Sequence, residues 1–418
     1  MKFEFFVASK LKLGNPEQKG SPSMNVALAG IVLAIVIMIL SIVIVTGFKN
    51  EITTKIYSLD SHIKVSNAVL GIDDNYSSVS SGDIYSRLDS DKALSDNIAS
   101  KSLIIEKPAI LKTDSDFKGI IYRGVDSCYD WNFIKSHLVS GRVPIVSDTA
   151  NVAEVAISAV TARELQLGVG DKIFTYFIDD KVKLRNSKIV GVFNTDFDVH
   201  DRTYMLGNIA QLQGINQWGG DTGNYVGINV KNIDNVNRVA ADVYSQLALA
   251  TYDDNSATTL HEVTPTTQSN MQFFTWLSML DTNVVIIIIL MIIVTGFTLI
   301  AALLMIVLER IRMIGLLKAL GATNGMIRRV FIYLTGKLVI KAMIIGNIIG
   351  LGLALVQQHF HILRLDAEAY YMPFVPIHID PVALLLLNLG ILLVSYLTLI
   401  VPSLIISSIR PTATMRFE

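Results

Sequence analysis

Cysteine is nearly absent: Cys128 is the single one in 418 residues, so no internal disulfide can staple this chain. Charge is scarce at 17%, below the roughly 25% of an ordinary soluble domain. Neither sign dominates, because 35 Lys and Arg face 36 Asp and Glu for a formal net charge of −1. That balance argues against a nucleic-acid binder, which needs a basic surface. No G-x-x-x-x-G-K-[ST] motif occurs, and Gly336-Lys337 lacks both the upstream glycine and the following hydroxyl residue. No Ser/His/Asp or Cys/His arrangement is visible as a motif, which argues against catalysis by this chain. Internal repeats are not evident, and low complexity is confined to the Ser/Asp-rich stretch Asp73–Asp96.

Hydrophobic residues, in contrast, make up 51% of the chain, and the mean hydropathy is +0.48. Such a composition belongs to membrane proteins. Four runs are long enough to span, since ~20 apolar residues cover a hydrocarbon core of about 30 Å. Met24–Phe48 carries no charge, and Asn283–Leu308 is equally clean between Asp281 and Glu309. The third, about Gly336–Val356, has Lys337 and Lys341 near one end, where both can snorkel to headgroups. The fourth runs from about Pro381 to Ile409, and Pro402 is expected to loosen its last turns. The first run exceeds the roughly 7–15 residues of a signal-peptide core and no A-x-A-like site follows, so it reads as an anchor.

Short-segment lysine and arginine give the orientation. Lys2, Lys10, Lys12 and Lys19 precede the first span, and Arg310, Arg312, Lys318, Arg328 and Arg329 lie between the second and third. Both regions are expected on the cytoplasmic side, as is the tail with Arg410 and Arg416. The expected organisation is a cytoplasmic amphipathic or solvated N-terminus (1–23), a first span (24–48) and a large outer domain with stalk ends (49–282). A second span (283–308), a cytoplasmic helix and corner (309–331) and a third span (332–356) follow. A short outer loop (357–380), a fourth span (381–409) and a tail (410–418) complete it. The fold class is thus an α-helical membrane protein with four transmembrane helices and a large α+β domain between the first two.

In the outer region, His62–Val65, Lys118–Val125, Lys172–Ile178 and Lys188–Phe193 read as strands. Glu154–Leu167 reads as a strand running into a helix that stops at Gly168, and Asn235–Ala250 as a second helix. Thr264–Asp281 reads as a helix entering the second span, with Phe273, Phe274 and Trp276 as interface aromatics. Asp196, Asp198, His200 and Asp201 form an acidic turn whose metal-ligand reading is weak. His359 and His361 read as interfacial polar residues rather than ligands.

The segment Glu309–Phe331 is charged yet keeps an apolar face. Met313, Leu316, Leu317 and Leu320 fall at helical spacing, Gly321 is a natural stop, and Thr323 can cap a new helix through Ile327 and Phe331. A bare loop has little reason to keep leucines in water, so a docked partner is expected.

Glu309-Arg310, Ile314-Gly315, Lys318-Ala319-Leu320-Gly321-Ala322, Ile327 and Phe331 resemble the cytoplasmic signature of FtsX/MacB-type ABC permeases, the mechanotransmission class. The order of one span, a large outer domain and three further spans matches that class, as does the end Pro402–Glu418. Within it, VIVTGFKNEI (Val43–Ile52), EVAIS…ELQLGVGDKI and GVFNTDFDVHDRTYM (Gly191–Met205) resemble the lipoprotein-releasing permeases LolC and LolE. Met313 departs from the glutamate usual at its position.

The resemblance implies a non-catalytic permease in the bacterial inner membrane, its large domain periplasmic and both termini cytoplasmic. It implies a separate LolD-like ATPase that holds ATP and Mg, while this chain binds no cofactor or metal. The coupling set would be Glu309, Arg310, Ile314, Gly315, Leu316, Leu317, Lys318, Leu320, Gly321 and Ala322. Other implied partners are a second copy or sister permease, a lipoprotein substrate and a LolA-like periplasmic carrier. A hairpin at Tyr176–Arg185, with Asp179 and Asp180 as its turn and Lys183 and Arg185 as candidate contacts, would meet the carrier or be a plain surface hairpin; the proline-rich character expected of a carrier hook is missing. Acyl chains would suit a cleft near Val45 and Phe48. Gly346 and Gly350 form a GxxxG pair that allows close helix contact, between subunits or within one chain. Alternatives within the class are a MacB-like exporter of peptides or toxins and an FtsX-like regulator of a cell-wall hydrolase.

Overall fold

The computed structural model describes residues 22–68, 78–113, 116–147, 153–178, 181–253, 260–309 and 311–405. The chain divides into two compact units. One contains the described residues up to Asn50, Trp276–Arg364 and those from Phe374 on; the other contains Glu51–Thr275 and Leu365–Pro373.

The chain has four long helices, Pro22–Leu59, Met271–Glu309, Asn324–Phe360 and Pro381–Ile405, and the first unit takes the first of them up to Asn50, the second from Trp276, and the other two. All four carry windows long and apolar enough to cross a membrane. The first continues 11 residues past the expected end of its apolar run, since Lys49–Leu59 alternates charge with Ile52, Ile56 and Leu59 at helical spacing. The fourth passes through Pro402 and ends at Ile405.

These helices bury Ile31, Ile35, Met38, Ile39, Leu299 and Ala342 in a shared core. Gly346 and Gly350 work inside this core. A Cβ at Gly346 would stand 2.8 Å from Ile35 Cγ2, and one at Gly350 3.1 Å from Ile39 Cδ1, so the third helix lies close upon the first. Asn347 and Asn388 exchange amide hydrogen bonds at 2.7 and 3.1 Å and fix the third helix against the fourth.

The second unit holds a ten-stranded sheet. Its strands are β1 (Ile63–Asn67), β3 (Ile98–Lys112), β4 (Phe117–Val125), β5 (Leu138–Gly141), β6 (Glu154–Ser158), β7 (Lys172–Ile178), β8 (Val182–Phe193), β9 (Tyr204–Asn208), β11 (Tyr225–Val230) and β12 (His261–Pro265). A separate pair joins β2 (Val79–Ser80) to β10 (Thr222–Gly223). The order is β12-β1-β11-β3-β4-β9-β6-β8-β5, and β7 bridges β8 back to β3. Six strands, β3, β4, β9, β6, β8 and β7, therefore close a circuit of hydrogen bonds. Alternation explains the strands: in β7, Ile173, Thr175 and Phe177 are buried while Lys172, Phe174 and Ile178 are exposed. Tyr122 and Phe177 meet edge to face at 6.0 Å within the core.

Two expectations change. Thr264–Asp281 is not one helix: His261–Pro265 is a strand because it pairs along β1, and helices follow at Thr266–Ser269 and Met271–Glu309. The outer loop is also divided. Leu365–Pro373 belongs to the sheet unit, where Tyr371 packs on Phe197 and Phe273 and its carbonyl accepts from the buried Lys55 Nζ at 2.9 Å.

Candidate functional site

The corner between the second and third long helices is a compact device. After Glu309 comes a short helix, Ile311–Ala319, closed by Gly321 at φ +93°. Ala322 N–H donates to the Leu317 carbonyl at 2.9 Å and Gly321 N–H to that of Lys318 at 3.0 Å, the double bond of a glycine-terminated helix. Thr323 then caps the third helix, its hydroxyl accepting from Met326 N–H at 3.3 Å.

Beneath this turn, Leu303, Ile306, Val307, Ile314, Ile327, Phe331 and Leu334 form a buried cluster on which Met313, Leu317 and Ala322 pack. The single-face reading of Met313, Leu316, Leu317 and Leu320 is thereby corrected. Leu317 is half-buried against this cluster, and Ile314 and Gly315 are buried. Leu316 and Leu320 point outward, 63% and 77% exposed. Glu309 is exposed and Lys318 half-buried, while Arg310 lies outside the described residues.

The second candidate is the β7–β8 hairpin. Tyr176 pairs with Leu184, Thr175 with Arg185 and Ile178 with Val182; Asp179 and Asp180 lie outside the described residues. Lys183 Nζ reaches the Ile215 carbonyl at 2.7 Å, so this lysine tethers the hairpin to its own domain. Arg185 hydrogen-bonds the Leu184 carbonyl at 3.0 Å. Sequence reasoning missed the neighbouring hairpin end of β3 and β4, which lies alongside through the pairing of Ile110 with Tyr176. Together they shape an open cleft of about 460 Å³ that includes Ile110, Phe117, Tyr176, Ile178 and Val182. Phe117, Ile178 and Val182 are each more than 60% exposed.

Val45 and Phe48 are half-buried near the end of the apolar run. Phe48 meets Trp276 edge to face at 5.6 Å, and beside it Lys49 pairs with Asp281 at 2.7 Å. On this same stretch His378 N–H donates to the Val43 carbonyl at 3.2 Å, and a Cβ at Gly47 would stand 2.6 Å from the Pro376 carbonyl oxygen. The acidic turn serves its own local fold, since Asp201 is 1% exposed and accepts from Thr195 N–H at 3.0 Å and its hydroxyl at 2.7 Å.

Residues 26–246, more than half of the chain, match the MacB-like periplasmic core domain family, and residues 285–411 match the FtsX-like permease C-terminal family. The chain belongs to the FtsX/MacB-type ABC transporter permeases. Members of this family are non-catalytic membrane subunits that work with an ATPase partner. Two lipoprotein-releasing system transmembrane proteins LolC, from Xylella fastidiosa strains Temecula1 and 9a5c, are each 22% identical to the permease. The alignments span 411 and 414 residues, 94% of this chain and 93% of each relative. Among solved structures, the extracellular domain of the ABC-type transporter YknZ from Gram-positive bacteria aligns at 14% identity and a TM-score of 0.34, over 48% of the permease and 98% of that chain. The periplasmic region of MacB from Actinobacillus actinomycetemcomitans aligns at 13% and 0.35, over 52% and 95%.

Proposed function

We propose that the permease releases lipoproteins from the bacterial inner membrane to a LolA-like periplasmic carrier, driven by a separate LolD-like ATPase that holds ATP and Mg. The observation that carries this reading is the extent of the similarity to LolC, which runs through membrane and outer regions alike over 94% of the chain. Positive-inside charge supports cytoplasmic termini and a periplasmic sheet unit.

The corner supplies the coupling surface. Leu316 and Leu320 would insert into the ATPase, each contributing about 1.5–3 kcal/mol on burial, with Glu309 and Lys318 around them and Arg310 as a further candidate contact from the sequence. Ile314, Gly315, Leu317, Gly321 and Ala322 hold the two leucines in place. The permease would pair with a second copy or a sister subunit, with acyl chains passing near Val45 and Phe48. The exposed hairpin ends at Phe117, Ile178 and Val182 would face the carrier. A second reading, an exporter of peptides or toxins, draws support from the MacB-like match over residues 26–246.

The test is reconstitution with the cognate ATPase and an acylated lipoprotein in proteoliposomes, scoring ATP-dependent release to a soluble carrier. Release is expected, and its loss in the paired variant Leu316→Asp, Leu320→Asp with folding intact would support the coupling site. An ATPase stimulated by the permease without any release would overturn lipoprotein release in favour of the exporter.

A further inference from the structure

Apart from the corner and the hairpin ends, the sheet unit holds a cavity of about 530 Å³. Five segments enclose it: the last turn of the first long helix, the turn into β1, the start of β3, the residues after β4 and the end of β11. It shares no lining residue with the hairpin cleft. Its size falls among small-molecule sites, about 300–1,000 Å³.

Bonds between these segments fix its walls. His62 N–H donates to Asn229 Oδ1 at 3.3 Å, Asn229 Nδ2 to Ser100 Oγ at 3.2 Å, and Val230 N–H to His62 Nδ1 at 3.0 Å. Tyr57 meets the His62 ring edge to face at 5.1 Å. Asp60 also lines the cavity, paired with Lys64 at 2.8 Å and 3.7 Å from Arg123 Nη2. Arg123, 2% exposed on β4, donates in addition to the Leu59 carbonyl at 2.6 Å and to Glu106 Oε1 at 2.7 Å. Burial pushes the Asp60 carboxyl up, but Lys64 and Arg123 outweigh it and hold the group below the ordinary carboxylate value. Its charge is thus already matched within the protein.

Other lining groups remain open to a ligand. Asp130 and Asn132 are exposed, and Asp130 Oδ1 accepts from Asn132 N–H at 2.9 Å, which sets the two side by side. The second Asp130 oxygen and the Asn132 side-chain amide make no bond among the described residues. Ser100 Oγ accepts from Asn229 and keeps its own proton to donate. Tyr129 and Phe133, both half-buried, add ring surface. Trp131 braces Tyr129 edge to face at 5.0 Å, and the His137 ring lies 4.2 Å from that of Phe133.

This lining selects by chemistry. No lysine or arginine lines the cavity among the described residues, so a phosphate or carboxylate would meet the Asp130 charge without a counter-ion. An acyl chain would strip water from hydroxyl, amide and carboxylate groups and return no hydrogen bond. A pyranose ring is the complement of such a site. Its hydroxyls donate and accept, which suits a carboxylate that only accepts beside an amide and a hydroxyl that do both. Its C–H faces are apolar and pack on aromatic rings.

We propose that this cavity binds a neutral sugar ring, with Asp130, Asn132 and Ser100 reading its hydroxyls and the Tyr129 and Phe133 rings receiving its apolar face. The inference is independent of lipoprotein release, and binding is read without ATPase, carrier or cargo.

The experiment uses the full chain in nanodiscs prepared free of glycoside detergents, whose sugar headgroups would fill the site. Saturation-transfer NMR titrations are run with glucose, galactose, mannose, N-acetylglucosamine and its β-1,4-linked trimer, beside the 6-phosphates of the single sugars. Saturable binding of a neutral sugar is expected, with its 6-phosphate at least about tenfold weaker. Asp130→Ala and Asn132→Ala are each expected to weaken binding about tenfold, the scale of one lost hydrogen bond, and Asp130→Asn to recover part of that loss. Tighter binding of the trimer than of the single ring would assign the site to a glycan chain, and equal binding to a free sugar. Saturable binding by none of the neutral sugars, 6-phosphates bound as well as their parents, or unchanged affinity in the double variant Asp130→Ala, Asn132→Ala would each overturn the proposal. Thermal midpoints confirm folding, and should the double variant fail to fold, Asp130→Ala alone decides by the same measure.

Discussion

The corner at Glu309–Phe331 and the joint at Asp60–Arg123 solve similar mechanical problems with opposite chemistry. The corner turns one helix into another over an apolar cluster of Ile314, Ile327, Phe331 and their neighbours, closed by a glycine and a threonine cap. The joint fastens two helix ends to a sheet through ions and directional hydrogen bonds. Apolar packing specifies volume, and small changes in angle cost it little; a guanidinium fork specifies direction.

This contrast should break first by volume. Phe331→Ala removes a fully buried ring from the corner and is expected to cost about 3–5 kcal/mol, read as a lowered thermal midpoint in detergent. The joint should respond to charge instead. Glu106→Leu alone leaves Arg123 short of its anchor and should cost about 3 kcal/mol, while adding Arg123→Met should restore much of that; a double-mutant cycle on the full chain measures the difference. Equal losses in the single and double variants would mean that the pair acts by packing alone.

The smallest effect is set by pH. Burial, followed by the charge of Arg123, pushes the His200 imidazole below its ordinary value, against opposing pulls from Asp201 and Asp60. His200 packs on Tyr204, the same ring that Arg123 covers. The unfolded chain then takes up a proton that the folded chain refuses. This part of the stability is complete above the ordinary histidine value and is lost as pH falls through it, by at most about 1.4 kcal/mol per pH unit. Melting His200→Gln beside the unmodified chain at pH 7.5 and 5.5 should show a shallower loss in the variant, with the corner unaffected.

The four apolar runs were legible because spanning length is a one-dimensional property. So were Gly321 and Thr323, whose work is done within five residues, and the β7–β8 hairpin, which closes locally. The inward turn of Leu317 was not, since the helix period allows either leucine to face a core and only the partner cluster decides. Strand β3 was hidden by Glu106-Lys107-Pro108, polar and proline residues that look like a break yet sit at the centre of its pairing with β4. Arg123 did leave a trace, a single charge inside the apolar run of β4, but its partners at 59, 60 and 106 are joined by topology rather than by spacing. The same holds for Leu365–Pro373, whose membership of the sheet unit depends on Phe197 and Lys55 far upstream.

The closed circuit of β3, β4, β9, β6, β8 and β7 gives the outer domain the character of a hoop. From β4 the hydrogen-bond ladders reach β8 by two routes, through β9 and β6 on one side and through β3 and β7 on the other. An open ribbon peels from its free edge; a hoop must be cut before it unrolls, and the exposed ends at Ile178 and Val182 are set in its rim.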